Sequence, residues 1–116
     1  MLEKSMMRTN IPKEFLFVIN QIFEMENKVS KLTENNSLQR NLDKIKNLFI
    51  DMGLTFDNPL GQKYDETRTD CEASIAGDSA ENLEIVEVLK PIVRLSQNGK
   101  SAIVQKGLVI VKERQN

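Results

Sequence analysis

Asp65, Asp70 and Glu72, three of the four carboxylates in the stretch "YDETRTDCEASI", lie close in sequence to its one thiol, Cys71. By residue type these are the groups best suited to chemistry: paired carboxylates for general acid–base work, a thiol for nucleophilic attack. Neither reading is well supported by its surroundings. The chain has no His, which removes the commonest general base and a common metal ligand. It carries no Gly-rich phosphate loop and no cluster with metal-ligand spacing. Arg68, Asp70 and Glu72 alternate with Thr67, Thr69, Cys71, Ala73 and Ile75, as on a half-buried strand with one charged face. Cys71 falls on the other face, where it reads as a small core residue. The expectation is therefore a protein that is not an enzyme, with no catalytic residue, no metal and no cofactor, working by contact.

The elements that would present such a surface can be read from periodicity. The "IPKEFLFVINQIFEMENKVSKLTEN" segment places Phe15, Val18, Ile19, Ile22, Phe23, Val29 and Leu32 at helical spacing, with Phe17 widening the stripe. Asn10 is positioned to cap it, Pro12 suits its first turn, and Asn residues near 33–36 suit its end. A second helix is expected from Ser37. Leu38, Leu42, Ile45, Phe49 and Met52 follow a 4, 3, 4, 3 seam, with Gly53 closing the helix. Two helices with a short link form an antiparallel hairpin. The wide first stripe needs more cover than one helix supplies. A second copy would give a dimeric four-helix bundle through Phe15, Ile19, Ile22, Leu38, Leu42, Ile45 and Phe49; the rest of the same chain is the competing cover.

Beyond Gly53 the period falls to two. Pro59 and Gly61 mark a turn, "LEIVEVLKP" reads as a strand stopped by Pro91, and "IVRL" and "SAIVQ" flank Asn98-Gly99, a strong hairpin signal. "LVIVKE" is the last strand. The expected fold class is α+β, with a helical dimerisation region over 1–53 and a compact antiparallel all-β domain or small barrel over 54–116.

The chain has 116 residues, 40% hydrophobic and 28% charged, which suits one small globular unit. Its net charge of −1, from 16 basic and 17 acidic side chains, gives no overall pull toward nucleic acid or an anionic membrane. No apolar run approaches a membrane span, the start lacks a signal-peptide core, and a single Cys suits a reducing compartment, so the expected location is cytoplasmic.

Taken in order, these segments resemble the GrpE family of nucleotide exchange factors. "FLFVINQIFEMENKVS" looks like the end of that family's long helix and the start of its bundle. "SLQRNLDKIKNLFIDMGLTF" looks like the following bundle helix. "NPLGQKYDETRTD" is similar to the segment opening the family's β domain, and "LEIVEVLKPIVRLSQNGKSAIVQKGLVIVKE" to its closing stretch. The resemblance runs from Pro12 to Glu113 and rests on four moderate matches rather than one specific motif. Ten residues precede Ile11, so the family's long N-terminal coiled coil is expected to be mostly missing. Glu24 stands where the family often has Arg, and the "GY" of its β domain is missing. The resemblance implies a homodimeric, cytoplasmic co-chaperone of protein folding and stress response. It would bind the nucleotide-binding domain of a DnaK-type chaperone and promote ADP release. Lys100 is the nearest match to the family's basic hairpin residue, with Lys106 as competitor. Arg68, and Glu24 and Asn27 on the bundle, are the other implied contacts. A structural or adaptor dimer of the same shape without exchange activity is the alternative.

Overall fold

The computed structural model describes residues 11–32 and 37–114. The chain is α+β: two helices and a mostly antiparallel set of strands. It packs as two compact units, one of the residues through Thr55 with Arg94–Val104, the other of Phe56–Val93 with the residues from Gln105 onward.

In the first unit, α1 spans Lys13–Val29 and α2 spans Leu38–Asp51. Pro12 is the residue before α1 rather than part of its first turn; its carbonyl accepts the Phe15 N–H. The Asn10 cap lies outside the described residues. The helix stops at Val29, short of the Asn-rich end expected from sequence. The Ser30 hydroxyl donates back to the Asn27 carbonyl, and Lys31 and Leu32 make tighter i→i−3 bonds that end the α-helical ladder. Ser37 precedes α2, and Gly53 follows it at φ +90°, the left-handed geometry that suits glycine. Phe15 meets Phe49 edge to face at 6.4 Å, and Glu26 meets Gln39 and Lys46. The start of α1 thus lies beside the end of α2, so the hairpin is antiparallel.

The same unit holds the first half of β1 (Leu54–Asp57) and most of β5 (Ile92–Gln97) and β6 (Lys100–Gln105), strands that pair in the order β1-β5-β6. Asn98 and Gly99 join β5 to β6 with positive φ at both, as a type I′ turn requires. β1 is a strand that the turn signals alone did not mark. The Ser96 N–H donates to the Gly53 carbonyl at 2.7 Å, tying the exit of α2 to β5.

The second unit is built on a four-stranded sheet. Its strands are β2 (Lys63–Tyr64), β3 (Cys71–Ile75), β4 (Leu83–Lys90) and β7 (Gly107–Glu113), in the order β2-β4-β7-β3. β4 pairs antiparallel with both β2 and β7, whereas β3 runs parallel to β7. This departs from the all-antiparallel expectation. The long path from Ala76 to Lys106 supplies the crossover that parallel neighbours need. Cys71, Leu83, Ile85, Ile92, Val109 and Val111 form the core of the unit. β3 begins at Cys71, not at Thr67: the Asp65 carboxylate accepts the Thr67 N–H and hydroxyl, and the Arg68 N–H bonds the Asp65 carbonyl, a turn that excludes extended backbone.

Candidate functional site

The carboxylates that could have formed an acid–base pair have separate partners. Asp65 is engaged by Thr67, and these hydrogen bonds to its charged form hold its carboxyl below the usual range. Asp70 takes the Arg68 Nε at 2.6 Å, which likewise holds its carboxyl down and raises the guanidinium. Glu72 is exposed on β3. A general acid at neutral pH needs a raised carboxyl, so both directions run against that role. Burial pushes the Cys71 thiol up, away from the thiolate that attacks. Its Sγ packs where β7 begins: a Cβ on Gly107 would sit 3.3 Å from that sulfur and 2.9 Å from Ile92 Cγ1, so only glycine lets β7 lie this close. Among the described residues no group of three or more His, Cys, Asp or Glu is placed to hold a metal ion. Among them also, no helix is long and apolar enough to cross a membrane.

The residues implied as partner contacts divide between the units. Glu24 is exposed on α1, and Asn27, half-buried on the same helix, accepts the Ser30 hydroxyl through its carbonyl. Lys100 is exposed at the start of β6, in the first unit. Arg68 and Lys106 belong to the second, where Lys106 is exposed just before β7. Arg68 is committed internally. Besides Asp70, its guanidinium donates to Gln62 Oε1 at 2.7 Å and to the Lys63 carbonyl at 3.1 Å. It fastens the turn that follows β2, a role its position in the alternating run did not reveal.

The helical residues separate more sharply. Ile19, Ile22, Phe23, Leu42 and Phe49 are buried within a single chain, and Phe15 is half-buried against Phe49. Leu38 and Ile45 are exposed. Val18 and Met25, one heptad apart on α1, are exposed as well, as is Met52 one heptad beyond Ile45. On each helix these positions are rotated from the buried line in the same sense. Reversal of helix direction brings them to one side of the hairpin, as one apolar face.

Comparison of the chain with protein-family models, curated proteins and solved structures yields no match.

Proposed function

We propose that the protein is a GrpE-like co-chaperone: a dimer through its helical hairpin that binds the nucleotide-binding domain of a DnaK-type chaperone and promotes ADP release. The observation that carries this reading is the order of elements, an antiparallel helical hairpin followed by strands to the end of the chain. That is the order in which the segments resemble the family. The exposed face of Val18, Met25, Leu38, Ile45 and Met52 supports pairing of two hairpins into a four-helix bundle, because it is a continuous apolar surface that the single chain leaves uncovered, as it also leaves Phe17, Leu48 and Ile50. In this reading the bundle is made by the flank of the seam, while Ile19, Ile22, Leu42 and Phe49 hold each hairpin together.

Exchange needs no bond-making by the factor. It needs tighter binding to the open, nucleotide-free chaperone than to the closed one. Of the cations that the resemblance implies, Lys100 and Lys106 are exposed and can meet chaperone carboxylates, and a rim pair contributes roughly 0.2–1 kcal/mol. Linkage fixes a test. ADP must weaken the complex by the same factor by which the protein weakens ADP binding. Titration of a labelled chaperone nucleotide-binding domain, with and without saturating ADP, should show at least a fivefold loss of affinity with the nucleotide. Equal affinities in the two titrations rule out exchange by this route.

A further inference from the structure

We propose that the open edge of β3, with the cleft beside it, accepts an extended peptide from a partner protein as an added strand. Along β3 the even-numbered residues serve β7: the Gly107 N–H donates to the Asp70 carbonyl and the Ala76 N–H to the Val111 carbonyl. Backbone groups point to alternate sides of a strand, so Ala73 and Ile75 turn their N–H and C=O outward. β3 ends the sheet, so among the described residues no strand lies on that side. The other end of the sheet is closed differently. The outward carbonyl of Lys63 on β2 is taken by the Arg68 guanidinium at 3.1 Å.

Natural sheets blunt such edges with short strands, charged side chains (Lys above all), Pro or a bulge. β3 has no Lys, no Pro and no bulge, and its one charge is Glu72. Its sequence is CEASI, and its register with β7 runs without a shift. Beside the edge lies a cleft of about 610 Å3, lined on its apolar side by Tyr64, Ala73, Ile75 and Leu83. Ile75, 48% exposed, is held open to it rather than packed into the core. These two features define the occupant. Only an extended backbone offers a donor and acceptor every second residue, at the roughly 6.6–6.8 Å repeat of the edge. The cleft takes an apolar side chain from the same strand. Backbone pairing would provide affinity and the cleft would provide selection. Asp65 and Glu66 line the cleft against one base, Lys63, and this balance favours a neutral or basic peptide over an acidic one.

The test pans the whole chain against displayed random peptides of about ten residues, a length that covers the edge with flanks. Enriched sequences should alternate apolar residues. A synthetic copy of one, followed by fluorescence anisotropy, should lose at least tenfold in affinity when its alternate amides are N-methylated. Ala73→Pro should cause the same loss with an unchanged melting curve, because the Ala73 N–H is not part of the β7 ladder. Ile75→Lys places a charge at the cleft without touching the backbone and should match it, which decides the matter if the proline variant folds poorly. Failure to enrich any peptide overturns the proposal, as does binding that survives both variants. So does sedimentation showing that the unmutated chain associates and that Ile75→Lys alone abolishes that association; the edge would then pair with its own copy.

Discussion

Gly53→Ala should cost about 3 kcal/mol or more and lower the melting temperature by about 10 °C. Two effects add. Gly53 sits at φ +90°, where an L side chain is strained by about 1–3 kcal/mol. A Cβ there would also lie 2.6 Å from the Ser96 carbonyl oxygen, a backbone atom that cannot rotate away. Relief would pull β5 from the end of α2 and break the bond between the Ser96 N–H and the Gly53 carbonyl. Gly61 provides the control. Its φ is +85°, but nothing lies within 4 Å of its Cβ position. Gly61→Ala should therefore show the conformational penalty alone. Thermal and denaturant melts of the two variants separate strain from overlap. Equal losses would place the cost entirely in the backbone angle and remove the tight contact with β5 from the account.

Ile19→Asp and Ile45→Asp should fail in different ways. Ile19 is fully buried in the single chain, so an aspartate there is an uncompensated charge inside the first unit. That is expected to cost about 3–5 kcal/mol, a large share of the roughly 5–15 kcal/mol that holds a domain folded. The helical circular dichroism should melt at much lower denaturant. Ile45 is 39% exposed, and its substitution should leave the helical signal near that of the parent. Its effect should appear in light scattering, as a change from two chains to one, because a charge would enter the face proposed to pair. A parent chain already monomeric at micromolar concentration contradicts the bundle, and so does an Ile45→Asp variant that stays dimeric.

The contrast between these two residues shows what periodicity can and cannot reveal. Both belong to the apolar stripes, and spacing alone assigns them the same role. Which side of a stripe the chain covers for itself depends on contacts such as Phe15 with Phe49, which join distant positions. Local chemistry was legible: Gly53 ends α2, and Asn98-Gly99 makes the turn between β5 and β6, because both depend on the φ of one or two residues. The parallel pairing of β3 with β7 was not, since its partner residues are far apart in sequence and either direction satisfies the same alternation. The Thr67–Asp70 segment has strand-like alternation, but a side chain two residues back decides it. Asp65 binds Thr67, an Asx-type signal present in "DET" that competes with the alternating pattern and prevails. Arg68 is the matching case at the site. Its charge was visible; its commitment to Asp70, Gln62 and the Lys63 carbonyl required the turn to be in place.

The central claim, nucleotide exchange, is tested most directly by stopped-flow release of a fluorescent ADP analogue from the cognate DnaK-type chaperone. The release rate should rise with protein concentration to a plateau, at least fivefold above the spontaneous rate, with Lys100→Glu lowering the effect and leaving the melting curve unchanged. A release rate that does not change at saturating protein contradicts exchange and leaves a dimer that works as an adaptor.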